Sequence, residues 1–363
     1  MKRFLTAAAA LLICVCAFAQ EQNQAPEYGY KQTGFASKPR FGGYIIGSYK
    51  YTDKQGAHDG DGFNARLIRA YVDGSIFDQF NYRVQVELNG TPHVKDFFIE
   101  WAKYKAFSVK MGQFKRAFTF ENPMNPWDVG VGDFSLLVKK LAGMGDRCGE
   151  ASMGGRDIGL QVQGDLLPVG KDKHSLFHYQ LGVYNGNGIN RADNNAQKDL
   201  IGTFQIQPVK GLWIGAFGWK GNWTNGTVTV DRNRYSFGAK FDRNNWTLRT
   251  EYAKSFGHKA SEYYSDAPDD PSVEATWHGS GVADAFYFTA GIPVKDWLKL
   301  YAKWDEYRDQ GDENTSHDMF SWAANFRLHK NLNFQLEFRL HNDDTNPADT
   351  NYNELWLQTY IRF

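Results

Sequence analysis

The chain has 363 residues, in which 41 Lys and Arg residues balance 41 Asp and Glu residues, so the formal net charge at pH 7 is zero. This balance excludes the basic surface that a nucleic-acid-binding protein needs. The mean hydropathy is −0.55, and no apolar run beyond the N-terminus has the length of a transmembrane helix, which excludes a helical membrane protein. A membrane barrel stays open, because strands that alternate between apolar and polar residues average to a polar value.

The N-terminus has the pattern of a secretory signal peptide. Lys2 and Arg3 precede an apolar run over residues 4–18, and Ala17-Phe18-Ala19 is an A-x-A cleavage site. The run is too short for an anchor that spans the membrane. We therefore predict three segments: a signal peptide over residues 1–19, a periplasmic lead over residues 20–41 and a barrel domain over residues 42–363.

Beyond the lead, apolar and polar residues alternate with a period of two, which is the pattern of β-strands with one apolar and one polar face. The cleanest example is a hairpin around the turn Asp78-Gln79, in which Val72 and Ile76 precede the turn and Val84 and Val86 follow it. Sixteen strands are predicted, over residues 42–51, 68–76, 80–88, 96–101, 107–112, 158–162, 177–183, 200–206, 212–219, 235–241, 246–252, 284–291, 298–304, 319–328, 332–340 and 355–363.

The connections between the predicted strands alternate in length. Short turns follow strands two, four, eight, ten, twelve and fourteen, and a connection of moderate length follows strand six. Longer polar connections rich in Gly, Asn and Asp follow most odd-numbered strands. Outer-membrane barrels place short turns in the periplasm and long loops outside. A closed sheet also satisfies its backbone hydrogen bonds inside lipid, and sixteen strands enclose a space too wide for side chains to fill. The sequence therefore predicts an all-β fold: a 16-stranded antiparallel transmembrane β-barrel around a water-filled channel.

The last predicted strand carries a further signal of location. Leu355, Leu357 and Ile361 alternate with polar or aromatic residues, and the strand ends on the C-terminal Phe363. A last strand that ends on a C-terminal Phe resembles the signature of bacterial outer-membrane barrels, in which this strand pairs with the first to remove the sheet edges. We therefore predict that the protein lies in the outer membrane of a Gram-negative bacterium, in contact with outer-membrane lipid.

The N-terminal half contains a series of short motifs whose order and spacing are characteristic. They are Arg66-Leu67-Ile68-Arg69, Gly74-Ser75-Ile76-Phe77-Asp78, Tyr82-Arg83-Val84-Gln85-Val86-Glu87, Val94-Lys95-Asp96, Gly112-Gln113-Phe114-Lys115 and Gly155-Arg156-Asp157-Ile158-Gly159. Over residues 42–164 the chain resembles the phosphate-selective porin O/P family of bacterial outer membranes. The resemblance implies a homotrimeric channel whose long third loop, residues 116–155, is folded into the lumen and narrows the pore.

In that family the preference for anions comes from lysines and arginines on the lumen wall and at the constriction. The resemblance therefore implies a set of anion-binding, pore-lining residues: Arg69, Arg83, Lys110, Lys115, Arg116, Lys139, Lys140 and Arg156. Guanidinium groups bind phosphate oxygens in pairs, and Lys supplies a point charge. In the alternative, these charges solvate the wall and pair with Glu87, Glu100 and Asp157. Acidic and basic residues are equally numerous at inward-facing strand positions, so both interpretations stay open.

The sequence offers no catalytic group, metal site or cofactor site. The nine histidines are scattered without a ligand motif, and Cys148 is the only cysteine beyond the signal peptide. Asp59-Gly60-Asp61-Gly62 and residues 266–270 could bind Ca²⁺, but their Gly and Pro neighbours favour turns. We therefore predict a protein that is not an enzyme: a passive diffusion channel for small anionic or polar solutes. The alternative is a surface receptor or adhesin that acts through outer loops such as residues 255–283.

Overall fold

The computed structural model describes residues 32–33, 36–55, 61–150, 154–226, 228–264, 276–346 and 349–363. Within these residues, sixteen long strands form one antiparallel sheet that closes into a barrel, which confirms the predicted fold class. We number the barrel strands in chain order. They are β1 Arg40–Thr52, β2 Gly62–Ile76, β3 Phe80–Glu87, β4 His93–Tyr104, β5 Phe107–Lys115, β6 Arg156–Val169, β7 His174–Tyr184, β8 Asp199–Val209, β9 Leu212–Lys220, β10 Asn233–Arg243, β11 Trp246–Phe256, β12 Val282–Lys295, β13 Leu298–Arg308, β14 Ser316–His329, β15 Leu332–Asp343 and β16 Asn351–Arg362.

The barrel closes where the last strand meets the first. β16 pairs with β1 in antiparallel register from Glu354 opposite Thr52 to Arg362 opposite Tyr44. The terminal residue takes part, because Gly43 N donates to the Phe363 carbonyl at 3.0 Å and Phe363 N donates to the Gly43 carbonyl at 3.1 Å. This pairing satisfies the backbone groups that an open sheet would expose to lipid.

The alternation of the sequence translates directly into two faces of the barrel wall. On β15, Phe338 is 41% exposed on the outer face, whereas Glu337 and Arg339 point into the lumen and are 0% and 3% exposed. Trp246, Trp304 and Trp322 also lie exposed on the outside. An apolar outer face around a closed sheet is stable only against lipid.

The lengths of the connections between the strands alternate as the sequence predicts. Each even-numbered strand is followed by two to four residues, such as residues 210–211 after β8, and each odd-numbered strand by at least five, such as residues 116–155 after β5. By the rule for outer-membrane barrels, we assign the short-turn end to the periplasm and the long-loop end to the outside.

Short strands and 3₁₀ turns lie at the two ends of the barrel. Ala36–Ser37 pairs with Gln32–Thr33 and reaches Ile76 of β2 at the short-turn end. The predicted signal peptide and residues 20–31 of the predicted lead lie outside the described residues. In their described parts, the long loops contain two small hairpins and two 3₁₀ turns: Asn222–Asn225 with Val228–Asp231, Tyr263–Tyr264 with Thr276–Trp277, Ala260–Glu262 and Glu313–Thr315. No helix in the described part of the chain is both long and apolar enough to cross a membrane.

The long connection between β5 and β6 contacts inward-facing side chains on distant strands. We call residues 116–150 the inner segment; it contains the helix α1, Leu136–Leu141, whose first turn is capped by Ser135 Oγ. Phe120 N donates to Glu251 of β11 at 2.7 Å, and Trp127 packs edge-on against Tyr360 of β16 with ring centroids 5.7 Å apart. The segment thus contacts the wall at two places that are five strands apart, β11 and β16.

The inner segment covers an apolar half of the inner wall. Its buried side chains Phe118, Leu137 and Leu141 belong to one cluster with lumen-facing residues of β8 to β14, namely Ile201, Phe217, Trp219, Ala253, Ala283, Ala285, Tyr287, Tyr307, Met319 and Ala323. The small alanines on β11 and β12 leave room for α1. The polar lumen expected from alternation therefore exists on only part of the wall, because the other part packs like a protein core.

Candidate functional site

A cavity of about 290 Å³ lies between the start of the inner segment and the wall formed by β1 to β7. We call it the lower cavity. Among the described residues, six basic residues line it, and Asp96 is the only acidic one. The six are Arg69, Arg83, Lys110, Lys115, Arg116 and Arg156. The fold thus brings together six of the eight basic residues that the sequence singles out.

A second cavity of about 220 Å³, the upper cavity, adjoins the first on its long-loop side. The two cavities share Arg69, Lys115, Arg156 and Pro126. The upper cavity adds two more basic residues, Arg66 and Lys95, and two acidic residues, Glu87 and Asp133. The basic side chains of both cavities come from the neighbouring strands β2 to β6 and from the start of the inner segment. They therefore line one side of the lumen through both cavities.

Arg69 and Arg156 lie where the two cavities meet, and both bind carboxylates. Arg69 Nε donates to Glu87 Oε2 at 2.6 Å, and its Nη1 donates to the Tyr44 hydroxyl at 2.6 Å. Arg156 binds Asp96 through two hydrogen bonds of 2.7 and 3.0 Å. Such paired hydrogen bonds fix the guanidinium planes and offset part of their charge.

Arg83 and Lys110 hold looser contacts at the short-turn side of the lower cavity. Arg83 Nη2 lies 3.5 Å from Asp73 Oδ2, and a third of the side chain is exposed. Lys110 Nζ lies 3.7 Å from Glu100 Oε1 and 4.9 Å from the centroid of the Phe98 ring. Both side chains line the lower cavity, and their contacts with carboxylates are longer than those of Arg69 and Arg156.

Lys115 binds the backbone of the inner segment. Its Nζ donates to the carbonyl oxygens of Asn122 at 2.7 Å and of Met124 at 2.6 Å. These contacts hold the first turn of the inner segment against the boundary between the two cavities.

Arg116 lies at the edge of the lower cavity, inside a buried ion network. Its side chain has no exposed surface, and its guanidinium donates to Asp157 at 2.8 Å and to Glu150 at 2.9 Å. Glu150 also binds Arg232, and the guanidinium groups of Arg116 and Arg232 lie 4.9 and 4.7 Å from the centroid of the Trp219 ring. Arg116 borders the lower cavity and anchors the inner segment, because its Nε and Nη2 both donate to carboxylates of this buried network.

Lys139 and Lys140 lie in the last turn of α1, outside both cavities. Lys139 Nζ lies 2.7 Å from Asp133 Oδ2, and Lys140 Nζ lies 5.8 Å from the centroid of the Tyr307 ring. The fold therefore separates these two predicted residues from the other six. The carboxylates of the alternative interpretation do find partners, since Glu87 binds Arg69, Glu100 lies near Lys110 and Asp157 binds Arg116.

Asp133 ties the inner segment to the wall. Burial by itself would raise the pKa of this carboxyl group, but Lys139 and Arg66 hold the pKa well below its usual range. Arg66 Nη2 lies 3.1 Å from Asp133 Oδ1. Because the pKa of Asp133 is lowered in the folded protein, its ion pairs contribute their full stabilisation at any pH above the usual carboxyl range. This stabilisation is lost only as the pH falls through the lower pKa of the folded state.

We therefore expect the Asp133 contacts to resist mild acid. Open-channel noise should stay constant from pH 7 to about pH 4.5, because Asp133 remains ionised over that range. Asp133→Asn should raise the noise at pH 7, since the amide removes the charge that holds Lys139 and Arg66. Single-channel recording tests both statements, with Asp296→Asn in an exposed periplasmic turn as the matched control. Equal noise in the two variants would contradict the assigned role.

Alternation alone misses Arg66 and Lys95, and the register explains why. The β1–β2 pairing passes from Ile46 opposite Leu67 to Gly47 opposite Ala65, so Arg66 is an extra residue. The β3–β4 pairing likewise skips Lys95. A β-bulge breaks the period of two and re-aims the side chain of its extra residue. The sequence motifs that contain Arg66 and Lys95 were the available signal.

A third and larger cavity, about 590 Å³, opens at the short-turn end under the inner segment. Its lining mixes charges of both signs. The basic residues are Arg243, Arg249, Lys299 and Arg327, and the acidic ones are Asp128, Asp242 and Asp296. Arg249 is already paired with Asp242 at 2.9 Å. This vestibule is wider than the two basic cavities and lacks their strong excess of positive charge.

The two possible Ca²⁺ sites fall partly or wholly outside the described residues. Residues 59–60 of the first acidic stretch and the whole of residues 266–270 lie outside the described residues. Among the residues that the structure describes, no group of three or more His, Cys, Asp or Glu side chains is arranged to hold a metal ion.

Comparison with known proteins finds relatives by fold and not by sequence. No protein-family model matches the chain, and no curated protein matches it. The anion-selective porin from Comamonas acidovorans matches with a TM-score of 0.66 at 11% identity, over 90% of this chain and 99% of that one. OmpF of Salmonella typhi, in complex with daunomycin, matches with a TM-score of 0.63 at 13% identity, over 92% and 100%. The outer-membrane channel DcaP of Acinetobacter baumannii matches with a TM-score of 0.63 at 11% identity, over 92% and 99%.

These likenesses show the fold: the chain is a sixteen-stranded barrel of the kind found in bacterial outer-membrane porins. Together with the apolar outer face and the alternating connections, they support the predicted location in the outer membrane. Membership of the phosphate-selective porin O/P family stays a prediction.

Proposed function

We propose that the protein is an outer-membrane porin: a passive diffusion channel for small hydrophilic solutes, with a preference for small anions such as phosphate. The observation that carries the proposal is the lining of the lower cavity, where six basic residues face one acidic residue. Selectivity in a pore follows from the sign of charge at its narrow part. The balance of charges over the whole lumen matters less, because charges far from the path are screened by salt.

In this proposal the solute path is eccentric. The inner segment fills the side of the lumen formed by β8 to β14, where it packs on apolar side chains. Solutes then pass on the other side, from the upper cavity past Arg69 and Arg156 into the lower cavity. The hydrogen bonds from Lys115 to Asn122 and Met124 support this arrangement, since they hold the segment at the edge of the path.

The chemistry along the path suits weak, reversible binding of oxyanions. Arg83 and Lys110 line the cavity and hold their carboxylate partners only at 3.5 and 3.7 Å, so their charged groups can take the place of water around an anion. Glu87 and Asp96 offset part of the charge of Arg69 and Arg156, which keeps binding weak enough for release. A channel needs binding that is favourable enough for solutes to enter and weak enough for them to leave.

We further propose that the channel is a homotrimer. The outer face beside the closing seam of the barrel has a shallow depression of about 520 Å³, lined in part by Gly47, Ala65 and Thr359. Small side chains there would let the surfaces of neighbouring subunits approach closely. Chemical cross-linking of the protein in outer-membrane vesicles tests this, with a ladder that stops at three copies as the expected result.

The test of function is the zero-current potential of single channels in a planar bilayer under a KCl gradient. We expect a potential of the sign that marks chloride as the more permeant ion, and a fall of the chloride current when phosphate is added. A potential near zero without an effect of phosphate would mean a general diffusion channel, in which the basic residues only solvate the wall. Liposomes that stay impermeable to small solutes when they contain the protein would refute the channel itself.

A further inference from the structure

Two histidines that are far apart in the sequence meet at the long-loop end of the lumen. His317 begins β14, His341 lies near the end of β15, and the strand register sets them diagonally on the same inward face. His317 Nε2 and His341 Nδ1 are 3.0 Å apart. The His341 ring also stacks on Tyr352 with ring centroids 4.2 Å apart and an interplanar angle of 10°, which fixes its orientation.

Each imidazole has a carboxylate on its other nitrogen. His341 Nε2 lies 3.5 Å from Glu354 Oε2, and His317 Nδ1 lies 3.9 Å from Asp343 Oδ2. A carboxylate attracts the N–H of the ring nitrogen next to it, so the proton of each neutral ring belongs on the side that faces its carboxylate. The two nitrogens that face each other then both carry lone pairs.

Two lone pairs at 3.0 Å repel each other, and a cation bound to both nitrogens relieves this repulsion; in the other tautomer one ring donates a hydrogen bond to the other. Histidines that ligate a metal almost always direct the other ring nitrogen at a carboxylate, a carbonyl or water. The side chain of His341 is 6% exposed. Glu354 and Asp343 therefore lie on the sides of the two rings where the outer-shell carboxylates of a metal site stand, at 3.5 and 3.9 Å.

We propose that His317 and His341 form a binding site for a divalent transition-metal ion in the outer vestibule, with water completing the coordination. Metal–nitrogen bonds of about 2.0–2.1 Å that join two nitrogens 3.0 Å apart enclose an angle of roughly 90–95°. That angle suits adjacent positions of a tetragonal complex, which Cu²⁺ prefers, and Cu²⁺ also stands highest in affinity among the first-row divalent ions.

Charges of both signs surround the two rings. Glu354 and Asp343 face them, but Lys50 at 2.7 Å and Arg339 at 3.4 Å share the charge of Glu354, and Lys54 at 3.8 Å shares that of Asp343. Lys139 and Lys140 also act on the rings, so the metal ion has to be held by its bonds to the two nitrogens and not by the surrounding charge. The site lies beyond the upper cavity on the side of the barrel formed by β14 to β16. It is thus separate from the basic residues of the proposed anion path, and its existence does not depend on that path.

The test uses tag-free full-length protein in detergent, titrated with Cu²⁺ and followed by electron paramagnetic resonance. We expect one bound Cu²⁺ per chain whose hyperfine pattern shows two nitrogen ligands. His317→Asn and His341→Asn should each weaken binding at least about tenfold, since loss of outer-shell partners alone costs about 10–100-fold. His174→Asn is the matched control, because His174 lies at the opposite end of the barrel and binds Asp172 and the Gln207 carbonyl.

Each outcome of the Cu²⁺ titration either supports or contradicts the proposed metal site. Two nitrogen ligands in the unmodified protein, lost in either variant and kept in the control, support the site. No bound Cu²⁺, a single nitrogen ligand or equal affinity in all variants would mean that the two rings share only a hydrogen bond. The nitrogen count in the unmodified protein decides even if a variant fails to fold, and an unchanged conductance without metal shows that a variant has folded.

Discussion

Replacing Arg116 by methionine is expected to loosen the inner segment and to raise the single-channel conductance. Arg116 has no exposed surface and donates to both Asp157 of β6 and Glu150 at the end of the segment. Removing one partner of a buried ion pair costs about 3–5 kcal/mol, because the remaining charges stay buried without compensation. Arg116 and Glu150 lie at the two ends of the inner segment. Loss of the ion pairs of Arg116 therefore weakens the attachment of the segment at both ends.

Conductance in planar bilayers and limited proteolysis of the segment measure this effect. Arg191→Met is the matched control, because Arg191 is exposed in the connection between β7 and β8. It should leave the conductance and the proteolytic pattern unchanged. If Arg116→Met also conducts like the unmodified channel, the apolar contacts of Phe118 and Leu137 hold the segment without help from the ion network.

The double replacement Arg83→Gln and Lys110→Gln is expected to remove most of the preference for anions. A unit charge at 4 Å is worth about 1 kcal/mol in water and about 4 kcal/mol at a protein surface. Two such charges should therefore lower the permeability ratio of chloride to potassium by about tenfold or more, since 1.4 kcal/mol corresponds to a factor of ten. The zero-current potential under a KCl gradient should move toward zero, and the change should grow at low ionic strength.

Arg243→Gln separates this effect from a general change in net charge. Arg243 is exposed in the large vestibule with mixed charges, away from the two basic cavities. We expect the potential of this variant to stay close to that of the unmodified channel. A larger shift for Arg243→Gln than for the double variant would place the selective part of the path in the vestibule, and the proposed route along β1 to β7 would then be wrong.

The sequence predicted part of the candidate site. Arg69, Arg83, Lys110, Lys115 and Arg156 do line one cavity, and the motifs that they belong to marked them in advance. Which of them are neutralised could not be predicted, because an ion pair such as Arg156 with Asp96 depends on the distance between two strands that are remote in the chain. The same reason applies to Arg116, whose partner Glu150 lies at the far end of a segment without any periodic pattern.

The sequence by itself determined the architecture: the number and order of the strands, the face that meets lipid, the alternation of short and long connections, and the closing strand that ends on Phe363. These features are local, because a period of two fixes which side of a strand is apolar and turn residues fix where it ends. Only the tertiary structure decided the rest. The bulges that turn Arg66 and Lys95 into the lumen, the apolar wall under α1 and the meeting of His317 with His341 all depend on register between strands. Register is set by the pairing of the whole sheet, so no single stretch of sequence contains it.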